Sequence, residues 1–244
     1  MTKRTDIRLS LPSKGRLSED AQQLLEACGL HIYKPNPRQY AATIPALPGV
    51  TVLFQRPGDI VVSVHEGSVD FGITGLDIVA EHQPPEDDTI LLLHDALGFG
   101  YCRLALAVPE AWQDVHTVSD LQAYAATQEA PLRVATKFTA LTRRFLAQHT
   151  IPFTLIHAEG TLEVAPAIGY ADMICDLVSS GQTLRDNRLR PLEDGTILRS
   201  QATLIANRAA LQQRPQVLTV ARQLLEAIEA HLRAEEHLSI FANI

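Results

Sequence analysis

Short apolar runs alternate with amphipathic segments along most of the chain, and small or polar residues separate them. The apolar runs have the length and period of β-strands. We expect strands at residues 7–11, 50–54, 69–73, 90–93, 98–108, 132–135, 153–158, 173–178 and 202–206. Between them the spacing predicts helices, one of them capped by Ser18 and ended by Gly29, another over residues 162–168. Strands and helices that alternate in this way predict an α/β fold with two α/β domains around a cleft.

Two glycines, Gly98 and Gly100, open one long predicted strand and mark a crossover between the domains. The predicted first domain is discontinuous and comprises residues 1–97 and 186–214, and the second comprises residues 98–185. From Pro215 the apolar residues recur at helical spacing over five turns or more. Residues 215–244 are therefore predicted to form a C-terminal amphipathic helix and a tail.

Composition narrows the class of protein. Hydrophobic residues make up 46% of the chain and the mean hydropathy is +0.02, which is typical of a globular protein. No run approaches the roughly 20 apolar residues of a membrane span, and the first residues do not have the pattern of a signal peptide. The three cysteines are far apart and none has metal-ligand spacing. We therefore expect a cytoplasmic protein without a membrane segment.

The net charge of −7 argues against nucleic acid as a partner. The same charge repels a phosphorylated ligand, so a site for one needs cations gathered locally. The chain has four lysines, and two of them, Lys14 and Lys137, directly follow predicted strands.

The most informative stretch is residues 172–184. A short apolar strand carries Asp172 before it and Asp176 within it, and a loop of small and polar residues follows: Ser179, Ser180, Gly181, Gln182 and Thr183. Such a loop presents N–H groups and hydroxyls to one point, which suits a phosphate. The two acids are placed for ribose hydroxyls or Mg²⁺. A strand followed by an ordinary polar turn is the other interpretation of this stretch.

Other candidate residues stand where predicted strands end, at the edge of an α/β sheet that binds ligands. Lys14 and Arg16 follow the first strand, Lys137 follows the strand at 132–135, and the loop 159–161 follows the strand at 153–158. Thr74 stands at a Gly-containing strand–helix junction, and Asp70 stands at the beginning of that segment. No Ser–His–Asp or Cys–His arrangement and no Walker A lysine loop is visible. Cations, carboxylates and a phosphate loop suit a reaction driven by positioning and charge stabilisation, such as displacement of pyrophosphate from an activated ribose.

Several segments in the same order resemble the ATP phosphoribosyltransferase family, the first enzyme of histidine biosynthesis. They are residues 13–17, 67–75, 102–104, 133–137, 159–166 and 171–184. The resemblance implies a fold like type II periplasmic binding proteins with the active site in the cleft. It also implies a reaction in which N1 of ATP attacks C1′ of 5-phosphoribosyl 1-pyrophosphate and expels pyrophosphate.

The resemblance also implies roles for individual residues. The loop from Ser179 to Thr183 would hold the ribose 5-phosphate, and Asp172 or Asp176 would meet the ribose hydroxyls. Glu163 would act through substrate-borne Mg²⁺, the implied cofactor. Lys14 and Arg16 would face ATP or pyrophosphate, with Lys137 as a further catalytic cation. Asp70, Thr74 and Arg103 complete the implied substrate contacts.

The family further implies a homo-oligomer and, for its short members, a separate regulatory subunit resembling histidyl-tRNA synthetase. Long members instead carry a regulatory domain, and residues 238–244 look like its opening strand. Two alternatives stay open. One is a phosphoribosyltransferase with another acceptor, and the other is a non-catalytic binding module of the same two-domain shape, which would need neither the paired acids nor the phosphate loop.

Overall fold

The structure is a computed structural model, and it describes residues 5–36, 39–84, 86–158 and 160–236. Two compact units divide the chain: the first comprises Met1–Gly100 and Gln201–Ile244, and the second comprises Tyr101–Ser200. The predicted tail at 238–244 and Glu159 of the loop 159–161 lie outside the described residues.

Strands and helices alternate through most of the described chain. In order they are β1 (Ile7–Pro12), α1 (Arg16–Ala27), β2 (Ala41–Thr43), β3 (Val50–Gln55), α2 (Pro57–His65), β4 (Phe71–Gly75), α3 (Leu76–His82), β5 (Ile90–His94), β6 (Cys102–Pro109), α4 (Val118–Ala126), β7 (Leu132–Thr136), α5 (Thr139–Gln148), β8 (Phe153–His157), a 3-10 turn (Leu162–Val164), β9 (Met173–Val178), α6 (Gln182–Asp186), β10 (Leu189–Ser200), β11 (Ala202–Asn207), α7 (Arg208–Gln213) and α8 (Pro215–Glu236).

The first unit is built on a sheet with the order β2-β3-β1-β4-β11-β5. Strand β1 pairs in parallel with β3 and β4, whereas β11 runs antiparallel to β4 and β5. Helices cover both faces, which explains why the strands read as nearly continuous apolar runs. On one face Leu9 and Leu204 pack in a cluster with Leu25 of α1 and Leu224 of α8. On the other face, side chains of α2 such as Val64 pack with alternate strand residues.

The second unit has the sheet order β10-β6-β9-β7-β8. Strand β7 is parallel to β8 and β9, while β6 is antiparallel to both β9 and β10. Alternate residues of β6, β7 and β9, such as Ala105, Ala135 and Ile174, pack with Leu162 and Leu184 on one face. The 3-10 turn and α6 therefore cover this face, and α6 begins within the candidate phosphate loop, residues 179–183.

The structure confirms the α/β fold class, the two sheets and the C-terminal helix α8. It also extends the second unit. Residues 186–200 were predicted to belong to the first domain, but β10 pairs with β6 and so belongs to the second sheet. Strand β10 has register shifts between Pro191 and Leu198 and includes the polar run Glu193-Asp194-Gly195. These interruptions break the period-2 pattern from which a strand is recognised.

Two local predictions were wrong. The helix expected at 162–168 is only a 3-10 turn, preceded by Thr161 in the left-handed region at φ 43°. The first helix begins at Arg16 with Gly15 as its N-cap, so Ser18 is a buried residue inside α1 and does not cap it. Gly15 has φ 75° and no side chain, which leaves the loop after β1 without a capping hydroxyl.

Candidate active site

The carboxyl ends of β7, β8 and β9 meet at one edge of the second sheet, because the three strands are parallel. Lys137 follows β7, Gly160 and Thr161 follow β8, and the loop 179–183 follows β9. Ala135 of β7 pairs with Ile174 of β9. Two residues further along each strand stand Lys137 and Asp176. The fold therefore brings three of the sequence-predicted loops to one place.

Asp176 is the carboxylate at this edge. It is largely buried, and burial raises the pKa of its carboxyl group; the charge of Glu163 raises it further, whereas a hydrogen bond from the Leu177 N–H (2.8 Å) and the positive charge of Lys137 lower it. The net direction is upward. The Asp176 carboxylate therefore favours a ligand that brings hydroxyl donors or a cation to it. Glu163 and Lys137 are close enough to act on it electrostatically, so these three predicted residues form one cluster.

The loop 179–183 is exposed apart from the half-buried Gly181. Gly181 has φ 72° and ψ 7°, a left-handed conformation that turns the chain from β9 into α6. Among the residues the structure describes, the hydroxyls of Ser179 and Thr183 have no hydrogen-bond partner, while the Ser180 hydroxyl accepts from the Gln182 N–H at 3.3 Å. Small residues, free hydroxyls and a left-handed glycine make a loop that can receive a phosphate.

The side chain of Gln182, predicted as a ligand contact, is engaged by neighbouring residues of α6. Its amide nitrogen donates to Asp186 Oδ1 at 2.6 Å, and its amide oxygen accepts from the Arg185 guanidinium at 2.9 Å. Both polar ends of the side chain are thus used inside α6. Arg185 also donates to the Ser180 carbonyl at 3.3 Å. Sequence reasoning missed this arginine, although a cation one helical turn after a phosphate loop was a signal available in the sequence.

Arg103 lies on β6 opposite Val178, the last residue of β9, and donates to the Thr196 hydroxyl at 3.3 Å. In antiparallel pairs, directly opposed residues share a face, and alternate residues along a strand do so too. Arg103 therefore stands on the same face as Asp176, which is opposite Ala105. The structure places this predicted cation beside the loop.

Asp172 lies at the other end of β9 and does not join the cluster. Its carboxylate accepts from the Arg133 main-chain N–H at 2.7 Å and from the Arg133 guanidinium at 2.7 and 3.3 Å. Partial burial raises the pKa of this carboxyl group, but the bonds and charge of Arg133 outweigh it and lower the pKa. Of the two acids proposed for the ribose hydroxyls, the geometry favours Asp176, because Asp172 ties the beginnings of β7 and β9 together.

In the first unit, Lys14 lies on the exposed loop between β1 and α1, at the carboxyl edge of that sheet, and Arg16 is the exposed first residue of α1. The Ser13 N–H donates to the Gln55 carbonyl at 2.8 Å, which fixes the start of the loop against the end of β3. The Arg16 side chain is 91% exposed and lies 3.6 Å from Asp20. Thr74 ends up fully buried, with its hydroxyl donating to the Pro57 carbonyl at 3.3 Å.

The surroundings of Asp70 favour a structural role over the predicted nucleotide contact. Its side chain is 0% exposed, at the beginning of β4 and away from the carboxyl edge. It accepts from the Arg8 main-chain N–H at 2.8 Å and from the Arg214 guanidinium at 2.7 Å. Arg214 in turn donates to the Asp6 carbonyl at 2.7 Å, just before α8. Asp70 is therefore a structural acid that joins β1 and β4 to the C-terminal helices.

The second unit thus combines a phosphate-type loop, a desolvated carboxylate and flanking cations on one sheet edge. Within the described ranges, no group of three or more His, Cys, Asp or Glu could hold a metal ion. The arrangement can bind an anionic sugar phosphate and stabilise charge on a leaving group. Fold and site together define an α/β protein of two units, the second of which carries a candidate binding edge for a phosphorylated ligand.

Comparison with known proteins identifies the family. Residues 56–230 match the family described as ATP phosphoribosyltransferase, and the chain belongs to that family. It is 46% identical over 99% of its length to "ATP phosphoribosyltransferase 2, chloroplastic" of Arabidopsis thaliana, and it spans 59% of that relative. It is 40% identical over 95% of its length to the ATP phosphoribosyltransferase of Rhodopseudomonas palustris strain HaA2, of which it spans 73%.

Solved structures with little sequence identity share the fold. A chain of the ATP phosphoribosyl transferase (HisG:HisZ) complex from Thermotoga maritima superposes with a TM-score of 0.71 at 24% identity, over 92% of this chain and 99% of that one. A putative L-cystine ABC transporter from Listeria monocytogenes gives a TM-score of 0.56 at 12% identity, over 94% and 90%. The predicted likeness to type II periplasmic binding proteins is thereby confirmed. None of the described helices is long and apolar enough to span a membrane.

Proposed function

We propose that this chain transfers the phosphoribosyl group of 5-phosphoribosyl 1-pyrophosphate to N1 of ATP and releases pyrophosphate, the first step of histidine biosynthesis. The observation that carries the proposal is the cluster at the carboxyl edge of the second sheet, where the charges of Glu163 and Lys137 both act on the Asp176 carboxyl group beside the loop 179–183. Membership in the ATP phosphoribosyltransferase family supports the same reaction.

In this proposal the loop holds the 5-phosphate. The hydroxyls of Ser179 and Thr183 and the main-chain N–H of Gly181 donate to the phosphate oxygens, and Asp176 accepts from the ribose hydroxyls. These bonds would offset the desolvation that raises the pKa of Asp176. Fixing both ends of the ribose presents C1′ to the attacking nitrogen, so catalysis rests on orientation.

The second requirement is a stabilised leaving group. Pyrophosphate gains negative charge as its bond to C1′ breaks, and preorganised cations lower the energy of that charge. We assign this role to Lys137 and Arg103 in the second unit. Lys14 and Arg16 in the first unit are assigned the binding of ATP or pyrophosphate. No side chain is assigned as a general base, because N1 of the adenine ring already carries the lone pair that attacks.

Mg²⁺ is the proposed cofactor. Carboxylate oxygens are the ligands this ion prefers, and the donor set fits because Glu163 and Asp176 are near enough for the charge of one to act on the other. We propose that Glu163 would help to hold the ion that the substrate's pyrophosphate carries. When bound it would neutralise the phosphates that the chain's net charge of −7 otherwise repels.

The remaining expectations are proposals about the assembly. The Thermotoga relative comes from a HisG:HisZ complex, which supports a regulatory subunit of the kind expected from the sequence, resembling histidyl-tRNA synthetase. The homo-oligomer and the cytoplasmic location stay predictions. The Arabidopsis relative is described as chloroplastic, so fractionation in the source organism is the measurement for location.

The test is pyrophosphate release by the purified chain with both substrates and Mg²⁺. An enzyme-coupled assay detects the released pyrophosphate. We expect release that requires ATP and 5-phosphoribosyl 1-pyrophosphate together. Parallel reactions replace ATP by GTP or free adenine. Release with one of these and none with ATP would show another acceptor. No release even after addition of the synthetase-like subunit would contradict the proposed reaction.

A further inference from the structure

Arg185 contacts the candidate phosphate loop, residues 179–183, through its guanidinium group. It lies one turn into α6, and its guanidinium donates to the Ser180 carbonyl at 3.3 Å and to the Gln182 amide oxygen at 2.9 Å. The same guanidinium passes over Gly181, since a Cβ built on that glycine would lie 3.2 Å from it. The planar fork of an arginine can serve two acceptors at fixed spacing. One side chain therefore spans three consecutive residues of the loop.

The bond to the Ser180 carbonyl has a consequence for the next N–H. In a trans peptide the C=O and the following N–H lie in one plane and point in opposite directions. Holding the Ser180 carbonyl toward Arg185 therefore aims the Gly181 N–H away from it. If this peptide turned over, its carbonyl oxygen would stand where the N–H had been and would repel a phosphate.

Such a reversal is inexpensive at this position unless something opposes it. Gly181 has φ 72°, and glycine populates positive and negative φ about equally. The sequence that gives the loop its sharp turn thus also gives it conformational freedom. The charged hydrogen bond from Arg185 is a contact that selects one orientation, and charged bonds are stronger than neutral ones. The second acceptor of the guanidinium is the Gln182 amide oxygen. It is held in place because the Gln182 amide nitrogen donates to Asp186 at 2.6 Å.

We propose that Arg185 is a positioning residue that sets the orientation of the Ser180–Gly181 peptide, so that the loop is ready for phosphate before the ligand binds. The inference rests on the proposed function for the identity of the ligand, 5-phosphoribosyl 1-pyrophosphate. Its structural part concerns the direction of a single N–H bond, which is measurable without any ligand.

The binding experiment compares Arg185→Gln and Arg185→Lys with the wild type. We expect both variants to bind 5-phosphoribosyl 1-pyrophosphate with Mg²⁺ about tenfold more weakly, with unchanged ATP affinity and nearly unchanged kcat at saturation. Lysine keeps the charge but lacks the fork, so it should not restore binding. Arg144→Gln, an exposed arginine of α5 in the same unit, is the matched control. Wild-type affinity in the lysine variant, with loss only in the glutamine variant, would show that charge alone acts and would overturn the inference.

The second measurement is independent of the reaction. Residual dipolar couplings report the direction of the Gly181 N–H in the ligand-free protein. We expect a changed or averaged coupling at Gly181 in Arg185→Gln, and unchanged couplings in the strands of the same unit. An unaltered Gly181 coupling overturns the inference, whatever the substrate. Absence of phosphoribosyl pyrophosphate binding by the wild type, with a changed coupling, would instead contradict the proposed function alone.

Discussion

Substitutions in the ion pair of Asp70 and Arg214 distinguish a carboxylate that stabilises the fold from one that binds substrate. The Asp70 side chain is 0% exposed, and Arg214, at 20% exposure, donates to it at 2.7 Å. Replacing Arg214 by Met leaves a buried carboxylate without its guanidinium. Replacing Asp70 by Asn leaves a cation that still reaches water, and the Asn oxygen can still accept from the Arg8 N–H. The two variants should therefore lose different amounts of the free energy of unfolding.

The expected free energies of unfolding follow from that asymmetry. Removing one partner of a buried pair costs about 3–5 kcal/mol, which we expect for Arg214→Met. Asp70→Asn should cost about 1–3 kcal/mol, the penalty of one lost charged hydrogen bond. The double variant should lose less than the sum, because neither change then leaves an uncompensated charge. Asp6→Asn, at a carboxylate 39% exposed and paired with Arg8, is the control and should cost no more than about 1 kcal/mol.

Urea unfolding followed by circular dichroism measures these differences, and steady-state kinetics of the folded protein accompany it. We expect the KM for ATP to be unchanged in Asp70→Asn, because the carboxylate lies at the beginning of β4 and not at the carboxyl edge. An Asp70→Asn variant with an unaltered urea midpoint and a raised KM for ATP would refute this reasoning and restore Asp70 as a nucleotide contact.

Three further predictions concern single positions. Burial raises the pKa of Asp176, so its contribution to folding stability is fully present below the unfolded pKa and is lost as pH rises through the folded pKa. Asp176→Asn should therefore raise the free energy of unfolding at pH 7 by on the order of 1 kcal/mol. In thermal melts this gain should vanish toward acid pH, and the variant should lose substrate binding. Gly181→Ala places a Cβ at φ 72° against Arg185, so we expect about 1 kcal/mol of destabilisation and a raised KM for phosphoribosyl pyrophosphate. Gly72→Ala would overlap the Ile60 side chain, and should cost about 1–3 kcal/mol without changing either KM.

Much of the fold was predictable because most of its strands are apolar runs or alternate apolar with polar residues, and several of its helices are amphipathic. The strand and loop at 173–183 illustrate this: an apolar run interrupted only by Asp176 ends at a cluster of small residues, and the structure has β9 and a left-handed Gly181 there. Strand β10 escaped detection because its pairing with β6 is irregular and its middle is polar. Its membership in the second sheet depends on a long-range partner that no local pattern contains.

The candidate site was predictable as a set of strand-end loops, but the roles within it were not. Asp172 and Asp176 are equivalent in the sequence, and only their partners separate them: one is tied to Arg133, the other is desolvated beside Lys137. Asp70 looked like a site acid because it stands near a Gly-containing junction. Arg214, its partner, lies 144 residues away in the chain. Burial and partners of a carboxylate come from tertiary packing, so its role follows from the structure.

The most direct test of the account is the affinity of the chain for 5-phosphoribosyl 1-pyrophosphate with Mg²⁺, measured calorimetrically for the wild type and Thr183→Ala. The Thr183 hydroxyl is exposed in the loop, so its loss should weaken binding about tenfold with the melting temperature unchanged. Thr154→Ala, an exposed threonine on β8, should bind like the wild type. Equal affinities in all three proteins would contradict the assignment of the loop to the phosphate.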